Sequence, residues 1–182
     1  DNVAGGDGCS SAMPLHAGEA SGGGAMFAAG AADVTIIGST ITANSFEIFD
    51  WAMGPYFGAA IYTMGKLSIA SSTITNNGVS EDTSMSMGGY VRGGAIAQGA
   101  MDPTVWDPDE TALVDLTITT STLSNNGAGW GGAIHGEDGN IRITACAIHD
   151  NRGYGYGYGT AIYSLIPIVL TASSLSGNGY GS

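Results

Sequence analysis

Apolar residues recur two apart in five short segments of the chain: Val34 and Ile36, Leu67 and Ile69, Leu116 and Ile118, Ile141 and Ile143, Ile168 and Leu170. Alternation with period two puts those side chains on one face of an extended backbone, so each segment predicts a half-buried strand and not a helix. Thr, Ile, Val and Leu dominate them, which suits a pleated surface. Each segment then runs without a gap to an Asn: Asn44, Asn77, Asn126, Asn151 and Asn178. Between the apolar pair and the Asn lie a small column (Ser39, Ser72, Ser121, Cys146, Ser173) and a second apolar column (Ile41, Ile74, Leu123, Ile148, Leu175).

Upstream of these segments a Gly-Gly-Ala-Ile motif recurs, at Gly93–Ile96 and Gly131–Ile134, with looser copies at Gly23–Met26, Gly58–Ile61 and Gly159–Ile162. A unit this short cannot bury its apolar side chains alone and must stack on its neighbours. The predicted fold is all-β, a right-handed single-stranded parallel β-helix of about five coils with loop insertions on the coils. At a strand spacing of roughly 4.8 Å the repeats would stand on the order of 24 Å high. Residues 1–20 form an irregular N-terminal segment or first coil, and residues 21–182 the β-helix. The Asn column is expected at a turn, where Asn tolerates left-handed backbone, and its stacked amides are expected to form a hydrogen-bonded ladder. The small column is expected to face inward, and the Gly pairs to mark the next corner.

Spacing between the Asn residues is uneven, so extra length is expected in loops. Residues 45–56 carry Phe46, Phe49, Trp51 and Tyr56; residues 78–92 carry Met85 and Met87; residues 99–113 carry Trp106 and an acidic group; residues 152–159 alternate Gly with Tyr154, Tyr156 and Tyr158. If extended, those three tyrosines would share one side and could stack on a sugar or a neighbouring subunit, and Trp51 and Trp106 are further contact candidates. An ordinary Gly-Tyr loop is the alternative.

Length, 182 residues, fits one domain, and a hydrophobic content of 43% together with the repeat argues for a packed solenoid despite 31 glycines. Four Lys+Arg against 16 Asp+Glu give a net charge of −12, which makes nucleic acid and anionic membranes poor partners. No apolar run reaches the roughly 18 residues of a membrane-spanning helix. The sequence starts at Asp1 without a signal-peptide pattern and is expected to be a mature chain or a fragment. Cys9 and Cys146 make no disulfide framework; Cys146 is expected to be a buried thiol, and Cys9 leaves a bond between subunits open.

The pairing of Gly-Gly-Ala-Ile with an apolar-x-x-Asn motif resembles the repeats of polymorphic outer membrane proteins and related right-handed β-helix passenger domains of bacterial surface proteins. The resemblance spans residues 22–178. The Phe usual in the second motif is here Ile41, Ile74, Leu123, Ile148 or Leu175. The resemblance implies an extracellular or cell-surface protein with an adhesive or structural role.

A carbohydrate-active β-helix enzyme, lyase-like or hydrolase-like, is the alternative. Such chemistry needs carboxylates with a His or basic partner. The best candidates are His135, Glu137, Asp138, His149 and Asp150. Against this, no Asp-Asp pair occurs, the basic residues are only Lys66, Arg92, Arg142 and Arg152, and His135 and His149 fall on outward repeat positions equivalent to Tyr62 and Thr75. His16 is isolated. No cofactor is required; Asp102, Asp107, Asp109 and Glu110 could offer oxygen ligands to calcium, but without EF-hand spacing and beside Pro103 and Pro108, which suit an exposed turn. The triple glycine Gly22–Gly24 lacks the Lys of a phosphate loop. A third reading is ice binding, through a flat hydroxyl array of Thr40, Thr42, Thr73, Thr75, Thr122 and Ser124 that Ala147 and His149 interrupt.

No amphipathic capping helix is legible at either end, and uncapped strand edges pair with other chains. The chain is therefore expected either to be part of a longer solenoid or to meet other subunits at its ends; the expected partner is the protein itself, as a head-to-tail homopolymer, or another surface protein or carbohydrate. The function expected first is a non-catalytic extracellular structural or adhesive protein, a self-assembling filament or surface building block.

Overall fold

The computed structural model describes residues 2–5, 21–22, 24–28, 32–47, 56–79, 91–99, 115–154 and 159–180. Among them there are only strands, turns and bends, and the strands stack in parallel, in register, as a β-helix of five coils.

Three sheets of five strands form its walls. The first contains the Gly-Gly-Ala-Ile segments: Met26–Ala28, Ile61–Thr63, Ile96–Gln98, Ile134–Gly136 and Ile162–Ser164. The second contains Asp33–Ile37, Lys66–Ala70, Asp115–Thr119, Asn140–Thr144 and Ile168–Thr171. The third contains Thr40–Thr42, Thr73–Thr75, Thr122–Ser124, Ala147–His149 and Ser174–Ser176. Shorter ladders follow the Asn residues and precede the next Gly pair.

The register stacks like on like. In the second sheet Val34, Leu67, Leu116, Ile141 and Ile168 make one column, and Ile36, Ile69, Ile118, Ile143 and Leu170 the next. Ile41, Ile74, Leu123, Ile148 and Leu175 form the matching column of the third sheet. Apart from Leu170 and Leu175 of the last coil, these columns and the motif residues Ala60, Ile61, Ala95, Ile96, Ala133 and Ile134 meet in one core. Each fully buried Ile or Leu stabilises the stack by about 1.5–3 kcal/mol.

Two inner columns are held by hydrogen bonds. Asn44 donates to Asn77 Oδ1 from its backbone N (3.0 Å) and its Nδ2 (2.8 Å). The same pair of bonds joins Asn77 to Asn126, Asn126 to Asn151 and Asn151 to Asn178. In the small column, the Ser39 amide donates to Ser72 Oγ and the Ser72 amide to Ser121 Oγ. Cys146 is buried and reduced there, its Sγ 3.2 Å from the Thr144 carbonyl oxygen. Cys9 lies outside the described residues.

The corner is built differently from the expectation. The left-handed residue is the neighbour before each ladder Asn: Ala43, Asn76, Asn125, Asp150 and Gly177 all have positive φ. The ladder Asn itself is spared because its amide must point inward along the stack. At the other corner the first motif glycine, Gly131, has φ +63°. Its neighbour Gly132 is needed for space, since a Cβ there would collide with the Thr160 carbonyl oxygen of the next coil.

Residues 2–5 add a partial rung, with Asn2 opposite Asn44 and Gly5 opposite Glu47. The longer connections join two different pairs of elements along the chain. Residues 48–55, 80–90 and 155–158 connect the short ladders, whereas residues 100–114 connect the first sheet to the second.

Candidate functional site

The residue after each motif Ile or Met points away from the core, and the register stacks these residues as Phe27, Tyr62, Ala97, His135 and Tyr163. A second column stands immediately before the motif glycines: Phe57, Arg92 and Trp130. The two columns face each other across the outer surface of the first sheet and interlock.

Arg92 is the centre. Stacking on adjacent rungs puts its guanidinium 5.0 Å from the Phe57 ring centroid on one side and 5.5 Å from that of Trp130 on the other. Such cation–π contacts gain strength when shielded from water. One guanidinium nitrogen forms an ion pair with Glu137 Oε1. The same oxygen lies 2.9 Å from His135 Nε2. His135 is buried, its ring stacked on Tyr163 at 5.1 Å and set edge-on to Phe57 at 6.5 Å. Trp130 meets Tyr163 edge-to-face at 5.0 Å. On the coils before it, Tyr62 stacks on Phe27 at 5.0 Å and donates its hydroxyl to the Gly99 carbonyl oxygen.

This packing decides the protonation states. Burial pushes the His135 pKa down; the Glu137 hydrogen bond and charge push it up, and the Arg92 charge pushes it down again. The net direction is down, so the ring is neutral, with Nε2–H donated to Glu137. His135 Nδ1 is buried and has no partner among the described residues. Burial, followed by the Glu137 charge, raises the Tyr62 pKa and keeps the phenol protonated.

Of the sequence candidates, the structure brings together His135 and Glu137. Asp138 is exposed beside them. His149 and Asp150 form a separate exposed pair, Nδ1 to Oδ2 2.8 Å, at the third sheet's outward column below Ser124. The five candidates are therefore two clusters on different walls, because a residue's place in the repeat fixes its wall. Tyr154 is not a presented contact ring: it is buried in a cluster with Ala59, Val79, Val91 and Ala128, on the space left by Gly127. Tyr156, Tyr158, Trp51 and Trp106 lie outside the described residues, as do Asp102, Asp107, Asp109 and Glu110. Among the described residues no group of three His, Cys, Asp or Glu could hold a metal ion.

The outward hydroxyls of the third sheet do align, Thr42 with Thr75 and Ser124. Thr75 Oγ1 and Ser124 Oγ bond each other at 3.0 Å. Phe57, Arg92, Trp130 and Tyr163 were not among the candidates. Their signal lies in the positions just before and just after Gly-Gly-Ala-Ile, whose side chains differ from coil to coil.

No family model matches the chain, and no curated protein and no solved structure matches it.

Proposed function

We propose that this chain is a non-catalytic, extracellular structural or adhesive β-helix protein whose coils stack head to tail on further copies of itself. One observation carries the reading. Leu170 and Leu175 belong to inward columns whose members in the preceding coil, Ile143 and Ile148, are 0% exposed, yet they are 45% and 47% exposed themselves. They are residues of core columns that no described rung covers. Val34, Ile36 and Ile41 in the first described coil are likewise only half-buried.

Both ends carry the same kinds of column in the same strand direction, so one copy can continue the sheets of another. The ladder polarity supports this. Each ladder Asn from Asn44 to Asn151 donates along the stack toward the higher-numbered coil, and the described ladder ends on Asn178, whose Nδ2 donates back to the Ile148 carbonyl oxygen. At the other end Asn44 Oδ1 is a buried acceptor with no partner among the described residues, and residue 2 stands one rung outside it. A contact that joins unlike ends does not close on itself and yields a filament. With a net charge of −12 on each copy, screening by salt should promote it.

Light scattering on the size-exclusion eluate and negative-stain electron microscopy test the reading. Uniform fibres whose length grows with concentration and salt are expected. A monodisperse monomer across that range would remove it.

A further inference from the structure

The outer face of the first sheet carries chemistry that end-to-end stacking does not use. Glu137 spends one carboxylate oxygen on both Arg92 and His135, and its second oxygen has no partner among the described residues. Arg92 spends one nitrogen on Glu137 and keeps its other N–H groups. The two side chains are 27% and 17% exposed, so these groups sit at the surface of the cluster and not beneath it. An acceptor and a set of donors thus lie side by side, held by rings above and below the guanidinium. Next to them stand Trp130 and Tyr163, both partly exposed, locked edge-to-face.

We propose that Arg92, Glu137, Trp130 and Tyr163 form a binding subsite for a neutral saccharide, with His135 as the positioning residue behind it. Two adjacent sugar hydroxyls match the polar pair: one donates to Glu137, and the next accepts from Arg92. The apolar C–H face of the sugar ring then lies against the exposed part of the Trp130 and Tyr163 rings. Neutrality follows from the charges. Arg92 and Glu137 cancel each other, and a net charge of −12 repels acidic sugars. His135 acts through others: it fixes the carboxylate through Nε2 and the Tyr163 ring by stacking. A peptide adding itself as a strand is not accommodated, because on this wall the Ile134–Gly136 strand is paired on both sides.

Saturation-transfer NMR against neutral gluco-, manno-, xylo- and chito-oligosaccharides tests the proposal, with calorimetry on any series that responds. We expect transfer from at least one series, with Glu137→Gln and Tyr163→Leu each weakening binding roughly tenfold or more and leaving the thermal melt in place. The exposed Thr171→Ala variant, on another wall, should bind as the parent does. Absence of transfer from all four series overturns the proposal. So does binding that survives both Glu137→Gln and Tyr163→Leu in folded protein. The subsite lies on a side wall, so monomeric protein binds equally and a failure to form fibres leaves this test intact.

Discussion

Asn77 Oδ1 accepts two hydrogen bonds from Asn44, one from the backbone and one from the side-chain amide, and so ends two buried donors at once. Asn77 then repeats the gesture toward Asn126. A carboxamide is required because one oxygen must accept while one nitrogen donates onward and to a carbonyl of the preceding coil, as Asn126 Nδ2 does to Ile74.

Asn126→Ala should therefore be among the most damaging single changes in the molecule. It removes the acceptor for the buried Asn77 amide groups and both donors of its own Nδ2. A buried polar group left unmet costs about 1–3 kcal/mol, and several are stranded here. Urea unfolding should show a loss of about 3 kcal/mol or more. A loss near zero would mean that the ladder is decoration on a core that holds without it.

The left-handed turn between the second and third sheets supplies an opposite prediction. Thr120 sits there at φ +45°, where the other coils place Gly38, Ser71, Ala145 and Ala172. A β-branched residue is strained in that region, whereas Asn is tolerated. Thr120→Asn should raise stability by roughly 1 kcal/mol and the melting temperature by a few degrees. The same change at Thr122, in an extended strand, should do the reverse. Equal effects at the two sites would refute the strain argument.

The fold was legible because the repeat dictates it. Period-two columns such as Leu67/Ile69 and Leu116/Ile118 fix the strands, and five copies fix the stacking. Local geometry was legible only in part. The Asn column drew attention to itself, but the strained positions precede it, at Asn76 and Asn125, where side chains vary and only backbone geometry is shared. The candidate site was half legible. His135 and Glu137 are close in sequence, whereas Arg92 reaches them across coils through an alignment of Phe57, Arg92 and Trp130 that has no shared chemistry to announce it.

Acid should expose His135. Its pKa is lowered in the fold, with burial the main cause. Above about pH 6.5 the ring is neutral in both states. Below that the unfolded chain takes up a proton more readily than the folded one, so stability falls as pH drops toward the folded pKa. Replacing His135 by Phe removes that contribution while keeping a ring against Tyr163. Urea midpoints at pH 7.5 and 5.5 should fall further for the parent than for His135→Phe. Parallel lines would show that other groups account for the acid loss.

The end of the stack gives the sharpest contrast between a core residue and a surface one. Leu175 points inward and Ile37 outward, yet both are exposed, Leu175 because no described rung covers its coil and Ile37 because the second sheet's outer side meets solvent. Either can be changed to Lys at little cost to folding, and each change alters the net charge equally. If copies join through the open coil, Leu175→Lys places a charge in a core column and should raise the concentration needed for assembly by roughly tenfold or more, since a difference of about 1.4 kcal/mol suffices. Ile37→Lys should assemble like the parent at matched salt. Light scattering against concentration separates the two. Should both variants assemble like the parent, the joining surface is not the end coil, and stacking along the helix axis would have to be abandoned in favour of contacts between side walls.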